Sequence, residues 1–477
     1  MISRFDFSYD KPDEGLRSGL IRLSLSCFLI YGQGALALKS LWAGAIFGCC
    51  LLSVQCLWAQ LPTGTLQGQV VDAQSDAPLI GATVMILGME PPLGATSGLD
   101  GSFRLAGIPV GRYSVEVRSI GYEPYRVSEL LIGSGKEVYI KAQLKERLAE
   151  LAEVVVRAER DKAKPLNEMA TVSARSFSVE ETKLYAASIN DPGRMAQNFA
   201  GVAIASDLSN EIVIRGNSPR GLLWRVNGME VPNPNHFSEN GASGGPISIL
   251  SVNVLDQSDF FTGAFPAEYG NAISGVFDIQ MRNGNNQKRE YAAQFGVIGT
   301  DLAAEGPMGR SGASYLVNYR YSSLALLNAI GIKLAGDATP NYQDYAFRLN
   351  WPSRKLGTFS LWSMGGWSAQ LREAVTDSTL RAQTRSLAFQ DDFASGVAAV
   401  GAEHKVFVDD RTYIKTSLTA SGTQRLVRWD SSLFVDQPPY STDRLLLQPE
   451  YREDLRDWAY RGAVLINRKF DAQHTLR

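Results

Sequence analysis

Past residue 56 the sequence contains no cysteine: the four it has are Cys27, Cys49, Cys50 and Cys56. A mature chain that has lost that stretch has no disulfide framework and no thiolate metal site. Histidine is nearly as scarce, with three in 477 residues, at His236, His404 and His474. No excess of basic charge is present either. The 47 Lys and Arg balance 49 Asp and Glu for a net charge of −2, so no positive field points to nucleic acid. Beyond residue 60 there is no apolar run of about 20 residues, hence no spanning helix. If the mature chain crosses a membrane, it does so as a closed barrel.

What is present favours strands. The 44 glycines and 10% aromatic residues lean towards β-structure with many turns, and 45% hydrophobic with 20% charged residues is ordinary for folded protein. The first 59 residues read as a leader. An apolar run at 41–57 follows Lys39 and ends at Ala59-Gln60, which fits a secretory signal cleaved after Ala59. A second apolar stretch at 20–38 makes the leader unusually long. That length suits a start site assigned too far upstream, and a retained anchor or a lipoprotein cysteine at Cys49 or Cys56 are the alternatives.

Residues 60–145 show short strand-like runs at 66–71, 83–87, 102–108, 112–120 and 136–144, punctuated by Asp100-Gly101 and Pro109-Val110-Gly111. Even spacing with Gly and Pro punctuation predicts a small β-sandwich. The run Gly68-Gln69-Val70-Val71-Asp72, then Pro78-Leu79-Ile80-Gly81-Ala82, Asp100-Gly101-Ser102-Phe103 and Gly111-Arg112-Tyr113 resembles the carboxypeptidase regulatory-like domain. That resemblance implies a spacer or docking module rather than catalysis. A charged linker follows at 146–168. Inside it lies the β-branched patch Glu153-Val154-Val155-Val156-Arg157-Ala158. Such a segment suits strand addition to a partner's sheet edge; on spacing alone, a last sandwich strand or a buried plug strand fits as well.

Residues 169–286 read as compact and mixed. A short helix is expected over 191–200, a strand running into a turn over 211–217, and a strand with an Asn-Gly turn over 224–229. Residues 287–477 alternate with period two. Tyr315, Val317, Tyr319 and Tyr321 share one face and Ser314, Leu316, Asn318 and Arg320 the other; runs at 342–351, 414–421 and 458–468 repeat the pattern. Lipid-facing and lumen-facing sides produce that alternation, as does a soluble antiparallel sheet with one wet face.

Five motifs in order then resemble the plug of TonB-dependent outer-membrane receptors. They are Ile214-Arg215-Gly216-Asn217, the Asn227-Gly228 turn, the loop Pro232-Asn233-Pro234-Asn235, Glu268-Tyr269-Gly270, and Ser274-Gly275-Val276. The resemblance implies that the valine patch is a TonB box and that the alternating strands are membrane strands. It also implies partners: a TonB C-terminal domain with its inner-membrane energising complex, outer-membrane lipid and a small solute. Arg215, Glu268 and Arg282 are expected to join plug to barrel, because plug charges need partners in a polar lumen. No cofactor, metal or nucleic acid is implied. The location is the outer membrane, with the sandwich and box in the periplasm.

The expected fold is therefore mainly β: a small β-sandwich, a mixed α/β plug domain and an incomplete antiparallel transmembrane β-barrel. The residues after the plug allow roughly eight to ten strands, whereas plugged lumens belong to barrels of about 22, so a C-terminally truncated receptor is expected. Two other readings compete. A non-transporting surface binder or anchor would use the sandwich as its working module. A secreted peptidase would use His236-Phe237-Ser238-Glu239, an H-x-x-E spacing, as a zinc motif, but a catalytic zinc needs a third ligand and an open position. Gly133-Ser134-Gly135-Lys136 lacks the earlier glycine and following Ser or Thr of a phosphate loop, and reads as a turn.

Overall fold

The computed structural model describes residues 62–147, 165–167, 169–170, 172–178, 182, 191–204, 206, 209–239, 241–296, 299–309, 311–322, 338–353, 355–374, 389–434 and 445–477.

The sandwich has seven strands: β1 (Thr63–Asp72), β2 (Thr83–Leu87), β3 (Gly94–Thr96), β4 (Ser102–Pro109), β5 (Gly111–Arg118), β6 (Tyr125–Ile132) and β7 (Val138–Leu144). They form two sheets, in the orders β4-β1-β7 and β3-β2-β5-β6. Alternation sets the inner faces: Val84 and Ile86 on β2 and Phe103 and Leu105 on β4 are buried, and Met85 between the first pair is exposed. β1 is central, parallel to β7 and antiparallel to β4. β3 and β6 escape the sequence pattern. On β6 the alternation is spoiled by Glu129 at φ 58° and by a register shift opposite Tyr113–Val115. Residues 133–136 join β6 to β7 as a turn, with no helix after them. Gly101 needs to be glycine: φ is 73°, and a Cβ would lie 2.4 Å from the Val70 carbonyl oxygen. Pairing continues past β7, with the Glu123 N–H donating to Lys145 O and the Arg147 N–H to Gly121 O.

The next segment holds β8 (Ala174–Phe177), helix α1 (Pro192–Ala196), β9 (Val202–Ile204), β10 (Ile212–Ile214), β11 (Leu222–Val226), β12 (Met229–Val231), β13 (Asn235–His236), β14 (Ile247–Ser248), β15 (Ser258–Phe261) and β16 (Gly275–Ile279). Its main sheet runs β12-β11-β16-β15-β8. β11 and β16 are parallel and fully internal. Trp224 and Phe277 stack on one face of them, ring centroids 4.4 Å apart. Asp191 caps α1 by accepting from the Gly193 and Arg194 N–H groups, with Pro192 at the first position. Asn227 (φ 53°) and Gly228 (φ 86°) make the β11–β12 turn with both residues left-handed, the geometry that matches strand twist.

The last nine strands are β17 (Glu290–Phe295), β18 (Gly299–Pro307), β19 (Ser314–Ser322), β20 (Ala338–Ser353), β21 (Gly357–Arg372), β22 (Phe389–Asp409), β23 (Thr412–Phe434), β24 (Leu445–Lys469) and β25 (Thr475–Leu476). They form one antiparallel meander in chain order. Among the described residues β17 and β25 each have a single neighbour, so the sheet is not closed. One face carries Tyr319, Tyr345, Trp351, Leu418, Trp458 and Val464, all exposed; Trp458 is 70% exposed and Tyr460 74%. The opposite face buries Ser314, Asn318, Asp344, Ser417, Thr419 and Asn467. Apolar-out and polar-in alternation of this kind belongs to a membrane barrel. Register is pinned by glycines lying under aromatic rings of the paired strand: Gly365 opposite Tyr345, Gly401 opposite Trp362, Gly396 opposite Trp367 and Gly422 opposite Trp458. A Cβ on any of these would come within 3.0 Å of the facing ring, and a one-residue slip of a strand pair would lose the fits that pair carries.

Candidate functional site

The plug rests on the polar face of the strand sheet, and that seat is where the sequence concentrates buried polar groups. It begins with the Pro-Asn loop. Asn235 Nδ2 donates to Asn233 Oδ1, and Asn233 Nδ2 donates to the Ala242 and Gly244 carbonyls at 3.0 and 2.9 Å. Asn210 Nδ2 donates to Asn235 Oδ1 at 2.6 Å and to Asp191 Oδ2 at 2.8 Å. Burial raises the Asp191 pKa, against the opposing pull of Asn210. Pro232 and Pro234 leave those two positions without an N–H to satisfy, and the asparagines bond the rest of the loop.

The loop ends on His236, which is 1% exposed. Its Nε2 donates to Asp344 Oδ2 on β20 at 2.9 Å. Arg320 on β19 donates to the same oxygen, from Nη2 at 2.7 Å and Nε at 2.9 Å, and also reaches the Ser248 carbonyl of the plug. The His236 ring lies 4.7 Å from that of Tyr342. Burial lowers the imidazole pKa although Asp344 opposes it, so the ring is neutral at pH 7. One barrel carboxylate thus holds a plug histidine and a barrel arginine together. Phe237 continues the contact, its N–H donating to Ser368 Oγ at 2.9 Å.

Further pairs surround this centre. Ser251 Oγ and Asn253 Nδ2 donate to the two oxygens of Asp301 at 3.0 and 2.9 Å. Arg282 pairs bidentately with Glu305 on β18, at 2.6 and 2.7 Å. Arg348 Nε donates to Asn283 Oδ1 at 2.8 Å. Near β24, Arg461 pairs with Glu230 at 3.1 Å and Lys415 Nζ donates to the Asn227 carbonyl at 3.0 Å. The seat is not wholly polar. Leu316, Ala346, Trp362, Met364, Val397 and Ala399 of the sheet close the plug's own core, a part the alternation reading does not reveal because these side chains share the inward face with Ser, Asn and Asp.

The fit is close at Gly366. A Cβ there would lie 2.6 Å from Ile249 Cγ2 and 2.7 Å from His236 Cε1. Gly366→Ala is expected to push the loop at 235–249 off the wall at a cost of about 1–3 kcal/mol. Hydrogen–deuterium exchange of peptides covering 235–249 checks it; unchanged protection there would remove the close-approach argument.

The other plug motifs serve the plug itself. Arg215 (φ 50°) and Gly216 (φ 78°) form the turn after β10, and the Asn217 N–H closes it onto Ile214 O at 2.9 Å. Asn227 Oδ1 accepts from the Met281 N–H at 2.9 Å. Tyr269 donates to Asp278 Oδ2 at 2.9 Å, with the Arg225 guanidinium 4.5 Å from its ring centroid. Gly270 follows in the same loop, exposed. Burial raises the Asp278 pKa despite Arg225.

Two expectations are corrected. Arg215 does not reach the barrel: its left-handed backbone turns the side chain back to Ser173 Oγ at 2.7 Å and Thr262 Oγ1 at 3.4 Å. Glu268 accepts from Asn167 Nδ2 at 2.6 Å, where the chain enters the plug; Leu166 and Asn167 N–H groups also donate to the Asp259 carboxylate there, both at 2.8 Å. Of the three charges, Arg282 makes the barrel contact. His236 and Glu239 do not form a metal pair, since His236 is spent on Asp344 and Glu239 is exposed. Among the described residues no cluster of three His, Cys, Asp or Glu could hold a metal. The candidate TonB box, Glu153 to Ala158, lies outside the described residues.

Comparison with known proteins agrees with this geometry. The TonB-dependent receptor plug domain matches residues 168–276, and the carboxypeptidase regulatory-like domain matches 65–145. The chain carries the plug domain of TonB-dependent receptors. The TonB-dependent transporter Oar of Myxococcus xanthus is 22% identical over 386 residues, covering 77% of this chain and 33% of that protein; this chain thus spans about a third of the curated relative's length. Among solved structures, the ferric-catecholate import receptor Fiu of E. coli K12 is 12% identical over 63% of this chain and 46% of its own, with a TM-score of 0.41. A ferric enterobactin receptor (PfeA) mutant of Pseudomonas aeruginosa is 17% identical over 62% and 46%, with a TM-score of 0.37. The matched relative is a TonB-dependent transporter.

Proposed function

We propose that this receptor serves active uptake of a scarce solute, such as an iron chelate, across the outer membrane, driven through a TonB C-terminal domain. The observation that carries the reading is the seat itself. A folded plug is held on the polar face of the strand sheet largely by hydrogen bonds and ion pairs, at His236, Ser251, Asn253 and Arg282. Polar contacts exchange for water at a small net cost each, typically about 1 kcal/mol, so a pulled plug can leave a polar seat far more readily than an apolar one.

Orientation supports the same reading. Along the chain, successive barrel strands are separated by few residues at 308–313, 354–356, 410–411 and 470–474, and at the other end by many at 323–337, 373–388 and 435–444, with 296–298 the one short separation there. Membrane barrels keep short turns on the periplasmic side. The sandwich meets the short-turn end, through Lys405 and Lys469. This supports a periplasmic sandwich, and in our reading TonB would pair there with Val154–Val156 by strand addition.

Proline removes the backbone donor on which strand addition depends. Val154→Pro with Val156→Pro is expected to reduce capture of the full receptor by the TonB C-terminal domain roughly tenfold or more. Equal capture would refute the box. Surface display with no TonB-dependent uptake would favour a surface binder or anchor.

A further inference from the structure

The sandwich does not hang free of the barrel. Two of its loops grip opposite ends of the strand sheet. The first is 72–76, between β1 and β2. Asp76 (φ 55°) places its carboxylate between two lysines, Lys141 of the sandwich at 2.7 Å and Lys405 of β22. Asp72 pairs with Lys469 at the end of β24, which also meets Glu146 at 2.9 Å and is 7% exposed. Asp72 Oδ1 at the same time accepts from the Gln74 and Ser75 N–H groups at 2.9 and 2.7 Å, which fixes the loop's shape. Gln74 then bonds the barrel twice: its Nε2 donates to the Ala472 carbonyl at 3.0 Å and its own carbonyl accepts from Asn467 Nδ2 at 2.8 Å.

The second loop is 133–137, between β6 and β7. Lys136 pairs with Glu305 of β18 at 3.1 Å. The Glu137 N–H donates to Glu290 of β17 at 3.0 Å, and Glu137 Oε2 accepts from Asn285 Nδ2 at 3.0 Å. The sandwich therefore bridges from β17–β18 to β22–β24, across the side of the sheet where the plug lies. Between them is a cleft of about 3100 Å³, walled by Tyr139 and Ile140 on the sandwich and floored by Asp278, Gln280 and Met281 on the plug. Small-molecule sites are about 300–1,000 Å³, so this space suits movement or entry of a protein segment.

We propose that the β-sandwich is a latched cap over the periplasmic face of the plug, held by lysine–carboxylate clusters at both ends of the barrel sheet, and that opening these clusters uncovers the plug. The latch is built to be reversible. It is made of charge pairs at loop tips rather than shared apolar core, because the sandwich completes its own core with Leu66, Val84, Val115 and Ile132. Burial alone would raise the Asp76 pKa, yet Lys141 and Lys405 together hold it well below the usual carboxylate range, as expected of a carboxylate shared by two ammonium groups. The inference rests on the uptake reading for its use in transport, but not for the cap itself.

The test needs no solute. In the full receptor carrying Gln280→Cys, labelling by a polyethylene-glycol maleimide of several kilodaltons is followed by mass on the peptide containing residue 280. Labelling is expected to be slow, and to speed up about tenfold in Lys405→Glu with Lys469→Glu. Asp76→Lys added to Lys405→Glu restores an opposite-charge pair between the loop and β22, and should return the rate of Lys405→Glu part of the way towards that of the parent, since Lys141 then faces a lysine. A misfolded sandwich would not be rescued by the second change. Unchanged labelling in the double lysine variant, or absence of rescue in the swapped pair, would overturn the cap. Loss of TonB capture after the proline changes bears only on the uptake reading.

Discussion

Phe277→Ala is expected to loosen the plug more than any other single truncation in it. Phe277 is fully buried on β16, a strand with partners on both sides. Its ring stacks on Trp224 at 4.4 Å and 10° between planes, leans on Phe260 at 4.4 Å and meets Phe177 edge-on at 6.2 Å. Three separate strands thus deliver rings to one side chain. Truncating a buried phenylalanine costs about 3–5 kcal/mol, since the cavity collapses only in part, and each aromatic pair adds about 0.5–1.5 kcal/mol beyond area. Hydrogen exchange of peptides covering 222–231 and 275–279, measured on the full receptor, should accelerate by roughly two to three orders of magnitude if the sheet opens locally. Exchange in 445–469 should hold, since β23–β24 pairing does not involve Phe277. Phe277→Leu, which retains most of the volume, should fall well short of the alanine effect. Equal protection in wild type and Phe277→Ala would mean that the stacked core does not hold the plug together.

Much of this organisation is legible in the residues. The inward and outward faces of β19, β20, β23 and β24 follow from alternation, because a period-two pattern assigns each side chain to a face once one residue is placed. Asp344, Arg320 and Arg348 are on the polar face of those patterns, so a list of charged inward-facing residues contains the seat. What the pattern cannot supply is pairing across 100 residues of chain. His236 finds Asp344 only because the Pro-Asn loop, tied by Asn210 and Asn233, delivers it to β20. Arg215 illustrates the converse. Its charge suggested a barrel contact, but the backbone sign at one turn redirected it to Ser173. The apolar wall at Trp362 and Met364 was hidden for another reason: it shares the inward face of β21 with Ser360 and Ser368, so that face does not read as apolar. In the sandwich, β6 was lost to the positive φ at Glu129 and the register shift opposite Tyr113–Val115. Each miss is a place where tertiary geometry overrode local pattern.

Asp344→Ala is expected to unseat the plug, and it is the sharpest test of the polar seat. Asp344 is 2% exposed and its carboxylate satisfies two groups at once, the Arg320 guanidinium and the His236 imidazole. Removing it leaves a partly buried arginine without its closest counter-charge, which costs up to about 3–5 kcal/mol, and strips the histidine of its acceptor. Arg320 then keeps the Ser248 carbonyl, the Tyr342 ring 5.7 Å away and the attraction of Asp301. Asp344→Asn separates the two roles. It has nearly the same shape and retains an acceptor oxygen, so the His236 hydrogen bond can survive while the charge pairing does not, and an intermediate effect is expected. His236→Ala should be milder again, because Arg320 and Asp344 remain paired with each other across neighbouring strands. The order Asp344→Ala, Asp344→Asn, His236→Ala can be read from exchange in 235–249 relative to that in 222–226, the plug's internal strand. If Asp344→Ala and His236→Ala behave alike, the seat is held by the histidine contact alone and Arg320 has no part in it. If all three leave 235–249 protected, the apolar wall of Leu316, Trp362 and Met364 is sufficient to hold the plug, and a pulling force would have to break that wall rather than the polar pairs.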